Sequence, residues 1–441
     1  MSSIRFQDTI PSTFSIPSST TVRVSASTLS PIIATVGGRQ YRTTVSLNLD
    51  ILTSGANGID TGAVAANTYN LYIVVSNREL CLIASLSSSP SGFSAFKHIG
   101  RIVVGYISNS LSVLRALTEE VYQASLNQSF PNILVNGDMA IAQRGVGPTA
   151  MTSTVRFCVD RWNTYRSFDT AGLNGSRQSS GIASIPFCYR VQRASGNTST
   201  QNLHTLQNVI TENATKYQGK VVTLSFYARA GSNFSASGNL LSVNFTSGTG
   251  TNESLRAGYT GQVVVMSTSV TLTQSWQRFS FCLLIPSSST EFAPTFSYTP
   301  TGTAGTNDFF ELTGVMLNEG GIQDYRGVGP SFADDYVACQ QYYEYIQGYS
   351  GMAEATTIAS ITGNFAVQKW TNPSIIAAGP ISVRILTGSV DFTASSPVVQ
   401  NTSTTVKGFW TQVAGFSGMI VNYPLTDRAF NLNLRAEAEI Y

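Results

Sequence analysis

The sequence predicts an all-β chain: consecutive β-sandwich or jelly-roll domains with a short helical connector. Three observations carry that expectation. Apolar residues alternate with a period of two in one segment after another, which marks strands with one buried face. Gly- and Ser-rich spacers such as Thr246-Ser247-Gly248-Thr249-Gly250-Thr251-Asn252 separate those segments, as turns do in sandwiches and jelly rolls. Hydrophobic residues make up 42% of 441 positions, enough for real cores and too many for a chain disordered throughout.

In chain order, Tyr69-Asn70-Leu71-Tyr72-Ile73-Val74-Val75 puts Tyr69, Leu71, Ile73 and Val75 on one face. Ser76-Asn77-Arg78-Glu79 then turns into Leu80-Cys81-Leu82-Ile83, a hairpin signal. Arg101-Ile102-Val103-Val104-Gly105-Tyr106-Ile107 supplies another strand. Across residues 112–126, Leu114, Leu117, Val121 and Ala124 recur at steps of three, four and three. That stripe reads as about four helical turns. It is either a helix lying on the neighbouring sandwich or a short seam that joins copies of the chain. Residues 221–228 align Val222, Leu224 and Phe226, and residues 276–285 align Phe279, Phe281 and Leu283. Residues 309–317 form a further strand. Residues 331–347 read as a second helical piece or as strand, since Tyr342-Tyr343 and Tyr345-Ile346 suit both.

These elements divide the chain into an N-terminal β domain (1–112), a helical connector (113–130) that ends before Pro131, a jelly-roll domain (131–346) and a C-terminal β domain (347–441). The length suits about three domains of roughly 150 residues.

Composition excludes several classes of function. Charged residues are 11% of the chain, against roughly 25% in ordinary soluble domains. Lys+Arg 26 against Asp+Glu 24 leaves +2, without the basic stripe that displaces counterions from nucleic acid. Cys81, Cys158, Cys188, Cys282 and Cys339 are odd in number and scattered, so they read as small hydrophobes and not as a disulfide framework. Two histidines, His98 and His204, exclude a three-His zinc site. The opening residues lack the apolar run of a signal peptide. No stretch of ~18 apolar residues predicts membrane insertion. The expectation is a chain made in a cytoplasm and left untethered.

Catalytic signatures are missing too. The sequence has no G-x-S-x-G elbow, dinucleotide turn or phosphate loop, and His98 and His204 read as structural. Asp334-Asp335 and Glu119-Glu120 are chain neighbours whose side chains diverge, while Glu311 and Glu319 flank one strand. No spacing selects an acid pair ~5–9.5 Å apart for glycoside cleavage, so no catalytic residue is assigned and the chain is read as a non-enzyme. Sugar binding without cleavage suits the composition better, because aromatic faces stack on sugar rings while amides and hydroxyls bond their hydroxyl groups. Trp162 and Trp276 read as core. Lys407, Phe409 and Trp410 follow the polar run Gln400-Asn401-Thr402-Ser403-Thr404-Thr405 and are the glycan-binding candidates, on a loop rim. Arg144-Gly145-Val146-Gly147-Pro148 returns as Arg326-Gly327-Val328-Gly329-Pro330. That echo is either chance in a Gly-rich chain or a pair of loops at one rim, with Arg144 and Arg326 in one polar patch.

Several motifs resemble a known family. Asn132-Ile133-Leu134-Val135-Asn136-Gly137-Asp138-Met139-Ala140-Ile141-Ala142-Gln143-Arg144-Gly145, followed by Asp160-Arg161-Trp162, resembles the opening of a β-sandwich in bacteriophage tail-fibre and other virion-appendage proteins. Tyr217-Gln218-Gly219-Lys220-Val221-Val222-Thr223-Leu224-Ser225-Phe226-Tyr227-Ala228-Arg229 is similar to its central strand. Trp276-Gln277-Arg278-Phe279, Leu312-Thr313-Gly314-Val315-Met316-Leu317-Asn318-Glu319-Gly320 and Ala338-Cys339-Gln340-Gln341-Tyr342-Tyr343 also fit. Phe365-Ala366-Val367-Gln368-Lys369-Trp370-Thr371-Asn372-Pro373 and Leu434-Arg435-Ala436-Glu437-Ala438-Glu439-Ile440 resemble its C-terminal unit. Phe96-Lys97-His98-Ile99-Gly100-Arg101 and the strand from Tyr69 resemble a phage-fibre N-terminal module.

The resemblance implies a jelly roll related to carbohydrate-binding modules, a virion location and a homotrimer. It also implies an N-terminal anchor to other virion proteins and attachment to a host-surface glycan. Linked copies would raise avidity ~10²–10⁴-fold. Some relatives hold a structural calcium; no ligands are assigned here, and Asn318-Glu319 stands where a pair of acids is more usual. The alternatives are a head fibre or connecting tail component with no receptor role, and a polysaccharide depolymerase.

Overall fold

The computed structural model describes residues 8–10, 14–60, 62–126, 130–151, 156–167, 172–385, 390–427 and 433–440. The opening residues 1–7, and 127–129 of the expected connector, lie outside that set. Strands dominate the described residues and helices are few, so the chain is all-β, as alternation predicted.

The expected hairpin is present. Asn67–Ser76 pairs with Glu79–Ser85 through Val75↔Leu80 and Ser76↔Glu79. Asn77 and Arg78 make the two-residue turn with φ of 50° and 69°, the left-handed geometry that matches the twist of the flanking strands. Phe96–Ile107 lies on the other side of Asn67–Ser76. Val22, Ile32, Leu49, Leu71, Ile102 and Val113 are among the residues of this unit's core.

The stripe over residues 112–126 is only half helix. Ser110–Thr118 is a strand paired with Phe96–Ile107, and the helix is Glu119–Leu126. The register slips between Val113 and Arg115, so Leu114 is the extra residue of a β-bulge. That insertion breaks the two-residue period and leaves Leu114 and Leu117 three apart, which imitates a helical step.

The middle of the chain is a two-sheet sandwich. One sheet orders Thr149–Met151, Leu173–Ile182, Ile185–Arg193, Phe309–Glu319, Val221–Ala230 and Gln277–Leu284. It continues into the N-terminal strands through one parallel pair, Leu283↔Tyr106. The other orders Arg156–Phe157, Asn163–Arg166, Leu203–Leu206, Glu291–Tyr298, Leu240–Gly248 and Val263–Thr271. Trp162, Phe226, Phe245 and Phe296 fill the space between them. Phe226 meets Phe296 edge-on at 4.8 Å, a favoured aromatic geometry. Trp276 is half-buried, its Nε1 donating to the Ser180 carbonyl at 2.7 Å. All five cysteines are buried and free.

Residues 331–347 contain both readings. Ser331 and Asp334 form a capping box that starts the helix Phe332–Gln340, and Tyr343–Tyr345 is a strand. That strand pairs with Leu434–Glu437, so residues 346–433 are an excursion between two adjacent strands. Most of the excursion is a seven-stranded sheet with its own core, including Tyr349, Ile361, Val383, Phe409 and Val413.

Candidate functional site

The site begins with a buried clamp at the base of that excursion. Asn136, in a left-handed conformation with φ 57°, donates from Nδ2 to the carbonyls of Ile141 and Asp160, both at 2.9 Å. Trp162 Nε1 donates to the Asn136 carbonyl at 3.0 Å. These bonds fix residues 136–143 against Asp160-Arg161-Trp162. Arg144 Nη2 then reaches Glu437 at 3.0 Å and Glu439 at 3.4 Å, its Nη1 lies 3.7 Å from Asp160, and its guanidinium sits 3.6 Å over the Tyr343 ring. Arg161 pairs with Glu439, donates to the Asn208 carbonyl at 2.7 Å and sits 3.5 Å over Tyr342. Two arginines of the sandwich thus hold two glutamates from the end of the chain. Burial pushes the Asp160 carboxyl up to about 6, against the pull of Arg144 and Gln143.

Above the clamp, residues 140–143, the helix Phe332–Gln340, the strand Tyr343–Tyr345 and residues 364–366 enclose a cleft of about 700 Å³. This is within the usual ligand-pocket range of roughly 300–1,000 Å³. Phe332, Tyr336 and Gln340 contribute one helix face, since residues four apart are neighbours. The Phe332 and Tyr336 ring centres are 6.0 Å apart with planes 22° from parallel, and Phe332 is 61% exposed. Gln143, Tyr345 and Asn364 complete the walls. Gln143 Nε2 donates to Asp160 Oδ2 at 2.6 Å and to the Tyr343 carbonyl at 2.9 Å. Tyr345 donates its hydroxyl to the Gln143 carbonyl.

The lining has one carboxylate, Glu344, and it is buried and engaged. It accepts Lys369 Nζ at 2.8 Å and the N–H groups of Ala366 at 3.0 Å and Val367 at 3.4 Å. An aromatic platform with amides around it is an arrangement able to hold a polyhydroxyl ligand.

The sequence-predicted candidates fall elsewhere. Phe409 is core, 4% exposed and packed on Phe365 with ring centres 5.8 Å apart. The polar run before it is mostly the strand Val398–Thr404, paired with Gly408–Ala414, so there is no loop rim of aromatics. Alternation turns Trp410 outward, where its Nε1 donates to Ser360 Oγ at 2.7 Å. Lys407 is exposed at the turn before that strand. Arg144 is drawn into the clamp while Arg326 is exposed on its own loop, so the two do not make one surface patch. The residues missed were Phe332, Tyr336 and Gln340, whose spacing of four is legible once Ser331 is seen as a helix cap.

Several other chemistry-bearing residues are held in packing, hydrogen-bond and ion-pair contacts. His204 stacks on Tyr165 at 4.9 Å, and burial lowers its pKa to about 4. His98 lies edge-on to Tyr72 and 3.7 Å from Glu119. Buried Glu311 is held between Arg190 and Arg229. Asp335 is buried and accepts the N–H groups of Asn136 and Val328. For calcium, no cluster of three or more His, Cys, Asp or Glu suited to a metal occurs among the described residues. Asn318 donates from Nδ2 to the Glu319 and Gly321 carbonyls, and Glu319 pairs with Lys220 at 2.8 Å.

No protein-family model matches this chain, and no curated protein matches it. Among solved structures it is similar to a putative sugar binding protein from Bacteroides thetaiotaomicron, at 13% identity over 43% of this chain and 100% of that one, with a TM-score of 0.28. It is similar to the CBM22-1 xylan-binding domain of Paenibacillus barcinonensis Xyn10C, at 10% identity over 44% of this chain and 99% of that one, TM-score 0.26. A third likeness is to the enzymatically active domain of bacteriophage CBA120 tailspike protein 4, at 9% identity, TM-score 0.28, over 43% of this chain and only 21% of that one. The neighbours are thus mainly carbohydrate-binding modules.

Proposed function

We propose that this chain is a virion-appendage protein that attaches to a host surface by binding oligosaccharide in the cleft between the sandwich and the C-terminal excursion. The observation that carries the binding reading is the Phe332–Tyr336 pair: an aromatic face left exposed beside amides, on a wall whose backing is fixed by buried ion pairs. Exposed aromatic area of this kind gains by stacking on a sugar ring, and fixed walls reduce the ordering cost of binding. The ordered set of phage-fibre motifs supports the appendage reading. In it the N-terminal unit is the anchor to the particle and the chain works as a homotrimer, so that weak single-site contacts add through avidity.

A glycan array tests the binding, with the wild-type chain beside Phe332→Ala/Tyr336→Ala. The wild type should retain a defined set of glycans, and the double variant should lose at least tenfold in affinity, about 1.4 kcal/mol. An array without any bound glycan would favour the connecting-component role instead. Mass measurement of the purified chain should give a trimer; a monomer at micromolar concentration would contradict the avidity argument.

A further inference from the structure

Resting on the oligosaccharide reading of the same cleft, we propose that its ligand is uncharged: a neutral oligosaccharide recognised through hydroxyl groups, in preference to an acidic polysaccharide bearing carboxylates or phosphates.

The cleft offers an anion nothing to pair with. None of its lining residues is basic. Two of the cations behind the walls are already engaged in ion pairs. Lys369 gives its ammonium to Glu344 and to the Gln340 carbonyl. Arg144 is held by Glu437, Glu439 and Asp160. Arg435 lies over the Tyr345 ring at 4.9 Å and does not line the cleft. An acidic sugar entering here would lose hydration without gaining a counter-charge, which is the costly way to bury an ion.

The field inside has the wrong sign for an anion as well. After burial, Asp160 and Glu344 are the largest influences raising the Tyr336 hydroxyl above its ordinary range. A negative environment that disfavours a phenolate disfavours a uronate or phosphate at the same place.

The amides favour hydroxyl groups. Both partners of Gln143 Nε2 are acceptors, Asp160 Oδ2 and the Tyr343 carbonyl, which fixes the orientation of that amide. Its Oε1 is therefore the free end, and it is buried without a partner. A buried acceptor of this kind adds to the negative character of the wall and offers nothing to an anion. Gln340, Gln347 and Asn364 line the cleft with amides not engaged elsewhere among the described residues. An amide both donates and accepts, which is what a hydroxyl requires of its partner.

The test is titration calorimetry on the full chain with two probe sets: neutral gluco-, galacto- and manno-oligosaccharides, and uronate- or phosphate-bearing oligosaccharides, each at low and high salt. The wild type should bind a neutral probe at least tenfold more tightly than any acidic one, with affinity unchanged by salt. Phe332→Ala should weaken that binding at least tenfold, and Asn364→Lys, an exposed change, should raise acidic binding several-fold. Salt-sensitive preference for an acidic probe would overturn the neutral-ligand inference and leave the oligosaccharide reading standing. Absence of binding to every probe would overturn both. Neutral binding indifferent to Phe332→Ala would place the ligand outside the cleft and overturn the inference.

Discussion

Arg161→Met should detach the end of the chain from the sandwich. Arg161 is 3% exposed and pairs with a Glu439 side chain that is 0% exposed. It also donates to the Asn208 carbonyl and covers the Tyr342 ring. Removing one member of a buried pair leaves the other charged, dry and poorly partnered, which costs about 3–5 kcal/mol. Glu439 keeps Arg144 at 3.4 Å, so the lower end, about 3 kcal/mol, is expected. Replacing both members by Arg161→Met with Glu439→Gln removes the uncompensated charge and should restore about 2 kcal/mol of that loss. The assay is urea unfolding at fixed protein concentration, followed by tryptophan fluorescence. Trp370 donates its indole N–H to the Ala438 carbonyl and so reports on this junction directly. A single-variant loss below about 1 kcal/mol, or a double variant whose loss is the sum of its parts, would refute the clamp.

The other predictions concern single side chains. His204 should titrate near pH 4 in the folded chain, and with only two histidines its proton NMR signal is simple to assign. Because its folded pKa lies below the unfolded value near 6.5, its contribution is complete above pH 6.5 and is lost as pH falls towards 4, about 3 kcal/mol in all. His204→Gln should remove that part of the acid sensitivity; an unchanged stability–pH curve would refute it. Phe409→Ala should lower stability by about 3–5 kcal/mol through a core cavity. Trp410→Ala should change stability by less than about 1 kcal/mol and leave glycan binding intact, since that ring faces away from the core. Denaturant midpoints and one binding isotherm check both.

Much of the fold is legible because burial on one face forces a period of two. Tyr69, Leu71 and Ile73 fall into the N-terminal core, and Val222, Leu224 and Phe226 into the sandwich. Reading fails where an extra residue breaks that period, as Leu114 does at its bulge. It also fails at Phe409 and Trp410. Two adjacent aromatics in a strand cannot both face the same way, and only the pairing of Gly408–Ala414 with Ile358–Asn364 decides which is inside. The cleft is legible only along its helix face, for a different reason. Gln143 and Asn364 share no spacing with Phe332, Tyr336 and Gln340, and meet them because Tyr343–Tyr345 pairs with a strand that returns after the whole excursion. The two arginine loops show the same limit, since nothing near Arg144 in sequence points to Glu437 and Glu439.

The most direct test is a crystal structure of the chain with a neutral oligosaccharide that the array selects. A sugar ring against Phe332 and Tyr336, with its hydroxyl groups bonded to the lining amides of Gln347 or Asn364, is the predicted result. A sugar seated on the outer face around Trp410, or on either sandwich sheet with the cleft left unchanged, would contradict it.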